Sequence, residues 1–214
     1  GRAQTLEGLG LADRLAPAVW SLKPGAQETL RDLAERGDII KTMHRAMSGG
    51  PGRAQTDFAI EDTPTAPVLG RLVERGLHDE LTGKAFAIVD GADGRIHHLR
   101  FPDLERTGDA APGAIVETSA WTDRKGRQQT SLLVRSDFTL ERQIGANGAT
   151  WLDRQLVSPH LKSVAGGFGS EVREALAKRA DVLLEQGLAK RQGQKIVYAR
   201  NLLGTLRERD LAAA

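Results

Sequence analysis

The sequence contains no cysteine, a single tyrosine and only 4% aromatic residues. The absence of cysteine excludes disulfide bonds, thiolate metal sites and a cysteine nucleophile, and it fits a reducing cytoplasm. No apolar run approaches the roughly 20 residues that a membrane helix needs, and the N-terminus has no apolar core of a signal peptide. The sequence therefore predicts a cytoplasmic protein that has no membrane partner.

Excess charge of one sign is also missing. The chain has 30 Lys and Arg against 28 Asp and Glu, a formal net charge of +2, so its overall charge does not argue for nucleic acid and any basic surface must be local. The 214 residues, 40% of them hydrophobic, suffice for one large domain or two to three small ones. We favour several small domains. The first residue is Gly rather than Met, which suggests a fragment of a longer protein.

The clearest strand pattern lies in the middle of the chain. Two apolar-rich runs, residues 85–89 and 96–101, flank the turn sequence DGADG and predict a β-hairpin. Two more strand-like runs, 113–119 and 129–135, are separated by the turn DRKG. About four or five short strands at such intervals are typical of a small barrel. We therefore predict an α+β protein in which residues 67–144 form a small antiparallel β-barrel, with helical, winged-helix-like segments on either side.

The first 47 residues are predicted to be helical. Apolar residues recur at helical spacing up to Gly37, the predicted end of one helix. Asp38 is then the predicted N-cap of a second helix that carries Lys41 and Arg45. Helix, glycine corner and helix indicate a helix-turn-helix unit whose second helix contacts DNA. The alternative is a helical hairpin that only packs on the barrel.

A linker is predicted between this helical segment and the barrel. Residues 48–66, SGGPGRAQTDFAIEDTPTA, are rich in Gly, Pro and Thr and have no periodic apolar pattern. Such a composition is typical of a flexible tether or a long exposed loop, where a protease cuts first.

Residues 145–214 are predicted to be mainly helical. The longest periodic stretch keeps apolar residues on one face from Val172 to Leu184 and ends at Gly187. A short strand, a turn at Gln192 and Gly193, a second strand and a final helix follow. Helix, two-stranded ribbon and helix are the order of a winged-helix module.

Basic side chains are concentrated on this module and would bind phosphates whatever the base sequence. The alternative is a solvated face on which each cation pairs with an acidic neighbour, as Lys178 would with Glu174. Over the whole chain, the residues predicted to contact DNA are Lys41, Arg45, Arg173, Lys178, Arg179, Lys190, Arg191 and Lys195.

Patterns for catalysis and for metal binding are missing. Tyr198, the only tyrosine, lies in the predicted ribbon, where half-buried packing is expected. His97 and His98 are neighbours in a strand, so they point to opposite faces and cannot chelate one ion side by side. A metal held by the turn at 78–80 and one of these histidines is the alternative, although such turn residues are usually solvated. We therefore predict no catalytic residue, no metal and no cofactor.

Four stretches resemble a known family. They are GDIIKTMHRAM (37–47), PVLGRLVERGLHDELTGKAFAIVDGADGRIHHLRFPDLERTGD (67–109), GATWLDRQL (148–156) and GFGSEVREALAKRADVLLEQGLAKRQGQKIVYARNLLGTLRERDL (167–211). They resemble the uncharacterised domain that follows the nuclease domain in conjugative relaxases of the Ti-plasmid type, most specifically over 70–101. The resemblance implies a bacterial conjugation protein whose nuclease part nicks DNA at the transfer origin and stays attached through a tyrosine. The tyrosine and histidine motifs of that nuclease are not in this sequence.

Two functions of different class follow. The first is a non-catalytic region that binds transfer-origin DNA, single-stranded or duplex, and supports relaxosome assembly with accessory proteins. The second is a protein-interaction module that docks accessory factors or the coupling protein of type IV secretion. Binding through several Lys and Arg weakens steeply with salt, whereas a mainly apolar interface does not, so salt distinguishes the two.

Overall fold

A computed structural model describes residues 1–49, 57–61, 64 and 66–213. The mixture of helices and strands confirms the predicted α+β class. The chain divides into two compact units, Gly1–Arg45 and Ala46–Ala214. In chain order the elements are α1 (Arg2–Gly8), β1 (Ala12–Ala16), β2 (Val19–Leu22), α2 (Ala26–Ala46), β3 (Phe58–Glu61), β4 (Leu69–Asp79), β5 (Lys84–Gly91), β6 (Ile96–Phe101), a 3-10 helix (Glu105–Thr107), β7 (Ile115–Thr122), β8 (Gln128–Ser136), α3 (Leu140–Ile144), α4 (Trp151–Val157), α5 (Gly167–Glu185), β9 (Ala189–Gln192), β10 (Lys195–Tyr198) and α6 (Leu202–Ala213).

The first unit contains a hairpin and one long helix. β1 and β2 pair in antiparallel fashion, a feature that the sequence pattern did not indicate. Helix α2 runs without a break through Gly37, so the predicted helix-turn-helix is wrong. A glycine inside a helix costs about 1 kcal/mol relative to alanine but does not end the helix. Asp38 accepts a hydrogen bond from Lys41 at 3.1 Å within the helix instead of capping a new one.

The second unit is built on a six-stranded sheet in the order β3-β6-β5-β4-β7-β8. The predicted hairpins β5–β6 and β7–β8 are both confirmed. β3 lies at one edge and pairs in parallel with β6, so part of the predicted linker belongs to the sheet. The other linker positions 50–56, 62, 63 and 65 lie outside the described residues. Within the described part of the chain, no pairing joins the edge strands β3 and β8, and the predicted closed barrel is not confirmed.

One face of the sheet is covered by the connection between β6 and β7. Ala110 and Ala114 of this connection join the apolar core of the sheet. Arg75 on β4 holds the connection in place, because its Nε donates to the Ala110 carbonyl oxygen and its Nη1 donates to Thr107 Oγ1, both at 3.0 Å. The connection, which includes the 3-10 helix, therefore shields apolar side chains of the sheet from water.

The C-terminal helices close a second core against the sheet. Trp151 and Leu152 of α4 and Phe168 of α5 pack with Ala92 and Ile115 of the sheet region. The predicted segment boundary at 144–145 thus falls inside one compact unit. None of the helices in the described part of the chain combines the length and the apolar character that crossing a membrane requires.

The close approach of α5 to the sheet depends on a glycine. A Cβ atom at Gly169 would collide with the carbonyl oxygen of Ala92. Two residues further along α5 is Glu171, to which Arg71 on β4 donates at 2.7 Å, and Arg71 also donates to Asp90 at 3.2 Å. Backbone contact and ion pairs together fix the start of α5 on the sheet.

A buried ion pair holds α5 to α4. Arg179 Nε lies 2.8 Å from Asp153 Oδ1, and both side chains have 0% exposure. Asp153 also accepts hydrogen bonds at 2.8 Å from the backbone N–H and the hydroxyl of Thr150, the N-cap of α4. The remaining Arg179 donors bind three backbone carbonyls, those of Ile144, Ala146 and Gly148.

Neutralising Asp153 should destabilise the second unit strongly. Asp153→Asn keeps the shape of the side chain but leaves the buried guanidinium without its counter-ion, which should lower the free energy of unfolding by about 3–5 kcal/mol. Urea denaturation followed by circular dichroism measures the change. Arg191→Ala is the matched control, because it breaks an ion pair whose partners are 66% and 61% exposed. It should lower the free energy of unfolding by less than about 1 kcal/mol. Equal losses in the two variants would contradict this account.

Candidate nucleic-acid interface

β9 and β10 form the antiparallel ribbon that was predicted between α5 and α6. Lys190 lies opposite Val197, and Gln192 lies opposite Lys195. Gly193 at the tip has a φ of 62°, a left-handed conformation that glycine adopts without steric cost. The tip of the ribbon is therefore a tight turn made of polar residues.

The two faces of the ribbon differ in chemistry. Ile196 and Tyr198 turn inward and pack on a core formed with α5 and α6. Because successive side chains of a strand point to opposite faces, Lys190, Lys195 and Val197 share the outer face. All three are exposed. The outer face thus presents two ammonium groups beside an apolar side chain.

Arg191 lies on the side of the ribbon that faces α5. Its Nη2 donates to Asp181 Oδ1 at 3.3 Å, and both side chains are well exposed. Exposed ion pairs contribute little free energy. Arg191 is therefore free to exchange this carboxylate for a phosphate.

The ribbon and α6 form a net positive segment of the chain. Residues 186–210 contain six Lys and Arg against two acidic residues, a net charge of +4, whereas the whole chain has +2. The rest of the chain is therefore net negative. Arg200, Arg207 and Arg209, which were not among the predicted contacts, are exposed and extend this basic segment beyond the ribbon.

Helix α5 does not present a basic face. Arg173 and Lys178 are exposed as predicted, but they share the exposed side of α5 with Glu174, Asp181 and Glu185. That side therefore carries two positive and three negative side chains, a net charge of −1. The net positive surface thus lies at the ribbon and α6 rather than along α5.

The prediction that Arg179 contacts DNA is wrong. Its side chain is fully buried, and all its donor groups are used inside the protein. The sequence indicated this burial, because Arg179 follows Val172 by seven residues and precedes Leu183 by four. That spacing puts it on the apolar face of the helix, a pattern that outweighs its position next to Lys178.

Lys41 and Arg45 lie four residues apart on α2 and are exposed. They occupy one side of a continuous helix in the first unit, not a recognition helix after a turn. Lys41 is paired with Asp38 at 3.1 Å, with both side chains largely exposed. Their proposed DNA contact therefore no longer rests on a helix-turn-helix.

Comparison with known proteins gives a family. A family model matches the chain over residues 1–129 and 119–214. The chain belongs to the DUF3363 family. The description of that family is "Protein of unknown function (DUF3363)", so membership assigns no activity. No curated protein and no solved structure matches the chain.

Tyr198 of the DUF3363 chain is half-buried, as predicted. Burial of the ring, together with the negative charge of Asp153, raises the pKa of its phenol above 10.0. A higher pKa means less phenolate at neutral pH, which is the opposite of the shift that activates a nucleophile.

His97 and His98 of the DUF3363 chain point to opposite faces of the sheet, as predicted. His98 stacks on Phe86 with ring centroids 5.3 Å apart, while His97 lies between two carboxylates. At the 78–80 turn, Asp79 accepts hydrogen bonds from Thr82 and from the Leu81 N–H, which lower its pKa. In the part of the chain that is described, no three His, Cys, Asp or Glu side chains are grouped to hold a metal.

The buried side chain of His97 bridges two elements of the sheet region, an arrangement that we call the His97 clamp. Its Nδ1 lies 3.2 Å from Glu61 on the edge strand β3, and its Nε2 lies 3.0 Å from Asp93 in the β5–β6 turn. Ionised carboxylates only accept hydrogen bonds, so the protonated ring, which donates from both nitrogens, is the form that satisfies both contacts. Burial on its own lowers the pKa of His97, but the hydrogen bonds and charges of Asp93 and Glu61 outweigh it and raise the pKa above 6.5.

Stability should therefore depend on the protonation of His97. Because its pKa is raised in the folded state, the stabilisation is fully present below about pH 6.5 and is lost as the pH rises through the folded pKa. His97→Gln should be less stable than wild type at pH 6, by on the order of 1 kcal/mol or about 2–4 °C, and the difference should shrink towards pH 9. Thermal unfolding between pH 6 and 9 measures it. His160→Gln, at an exposed position, is the control; parallel wild-type and His97→Gln profiles would refute the clamp.

Proposed function

We propose that this chain is a non-catalytic, DNA-binding region of a conjugative relaxase, which holds transfer-origin DNA and supports relaxosome assembly in the bacterial cytoplasm. The relaxase context rests on the sequence resemblance. The DNA-binding part rests on one observation, the +4 net charge of residues 186–210 in a chain that is otherwise net negative. Relaxosome accessory proteins and the coupling protein of type IV secretion are the protein partners of this proposal.

The ribbon is the part best suited to phosphate contacts. Lys190 and Lys195 extend from one exposed face, and Arg191 reaches solvent at its side. Such contacts position a protein on DNA without selecting its sequence. In this interpretation α5, the ribbon and α6 act as a winged-helix-like module, and the six-stranded sheet supports it. The acidic groups on α5 argue against a recognition helix lying lengthwise in a groove.

Removing the ribbon charges should weaken DNA binding and its dependence on salt. Lys190→Ala, Arg191→Ala and Lys195→Ala together remove about three phosphate contacts, which should flatten the slope of log K against log salt by roughly 2 to 3 units. The loss should be similar for unrelated duplex sequences. Fluorescence anisotropy at several salt concentrations measures the slope.

A matched control removes the same charge from another hairpin. Arg124, Lys125 and Arg127 are exposed at the β7–β8 turn, and their replacement by Ala should leave the slope close to wild type. If the two triple variants behave alike, the ribbon is not the interface. Salt-insensitive capture of an accessory protein, with no DNA binding, would instead favour the docking function.

The isolated chain should neither nick DNA nor form a covalent adduct, with or without divalent metal. Tyr198 is packed in the ribbon and its pKa is raised. Incubation with supercoiled plasmid followed by gel electrophoresis tests this expectation. Relaxation of the plasmid by wild type, but not by Tyr198→Phe, would overturn it.

A further inference from the structure

A groove with a cavity volume of about 910 Å³ lies in the second unit. Its walls are the start of β4, the β5–β6 turn, parts of β7 and β8, helix α4 and the loop that follows it. The lining is mainly apolar and includes Val68, Leu69, Val134, Leu161 and Leu203. This size and composition are typical of sites that hold small molecules.

The carboxylates in the groove are already neutralised. Arg135 Nε lies 2.6 Å from Glu117 Oε2, and Asp93 faces the His97 ring at 3.0 Å. Both carboxylates therefore contribute little negative potential to a ligand.

Two cations of the groove have no counter-ion among the residues that the structure describes. Arg154 donates from Nη2 to the backbone carbonyl of Arg135 at 3.1 Å, which leaves its charge uncompensated. Neither Arg154 nor Lys162 makes an ion pair with any residue that the structure describes. An apolar groove with two such cations is complementary to a ligand that has an apolar body and a negative head.

We propose that the groove binds a small amphipathic anion, an apolar chain or ring system with one carboxylate, such as a medium-chain fatty acid. The apolar body lies against Val68, Val134 and Leu161, and the head is held by Arg154 and Lys162. A nucleic-acid strand fits less well, because Trp151 of the lining is only 3% exposed and offers no open face, which leaves the His160 ring alone for a base to stack on.

The test uses 8-anilinonaphthalene-1-sulfonate, an aromatic anion whose fluorescence rises in apolar sites. We expect saturable binding to the full chain, displaced by decanoate but not by decyltrimethylammonium, which has the same chain length and the opposite charge. Displacement by both, or no binding at millimolar dye, would overturn the proposal. Displacement by a short oligothymidylate but not by decanoate would assign the groove to single-stranded DNA and overturn it as well.

Variants locate the binding in the groove. Arg154→Gln with Lys162→Gln should weaken both dye and decanoate by roughly tenfold or more, since two charge-assisted contacts are lost. Val134→Asp, at a position 39% exposed on β8, should do the same by placing a carboxylate among the apolar contacts. Arg124→Gln with Lys125→Gln removes equal charge from the β7–β8 turn and should bind like wild type. Unchanged affinity in both groove variants, each shown to be folded by circular dichroism, would refute the site.

Discussion

The guanidinium of Arg179 is the group on which the C-terminal half of the second unit depends. From the middle of α5 it binds the carboxylate of Asp153 at the start of α4, the last carbonyl of α3 and two carbonyls of the α3–α4 connection. A buried ion pair is not a large net source of stability, but an unpaired buried charge is very costly. The pair therefore excludes arrangements in which α4 and α5 shift relative to each other. Because α5 leads directly into the ribbon, the pair also fixes where the basic residues are presented.

Elements defined by neighbouring residues were predictable from the sequence, whereas those that depend on distant residues were not. The turns DGADG and DRKG specify hairpins locally, and the apolar period and Gly187 specify α5. β3 could not be predicted, because its four residues become a strand only by pairing with β6, more than 30 residues away. The helix end predicted at Gly37 was wrong for the opposite reason. A glycine is a local signal for the end of a helix, but it is overridden when the residues on both sides favour the same helix.

The sites show the same division between local and distant information. The exposed ribbon was predictable from a turn between two short strands. The burial of Arg179 was predictable from its helical spacing from Val172 and Leu183. The His97 clamp and the groove were not predictable, because each combines side chains from segments far apart in sequence. Asp93 is close to His97 in sequence, but Glu61 reaches His97 only through the parallel pairing of β3 with β6. Arg154 meets the sheet only through the packing of α4.

The distribution of charge constrains how DNA would bind under the proposed function. A duplex lying along α5 would approach Glu174, Asp181 and Glu185, so repulsion favours an approach over the ribbon and α6 instead. That surface offers few phosphate contacts, and a small number of contacts gives only weak affinity at physiological salt. Weak binding is sufficient if a nuclease domain on the same polypeptide already holds the DNA, because tethering raises the effective concentration of the second site to the millimolar range. The modest net charge of the chain is then compatible with a positioning role, in which a stronger basic surface would only increase binding to unrelated DNA.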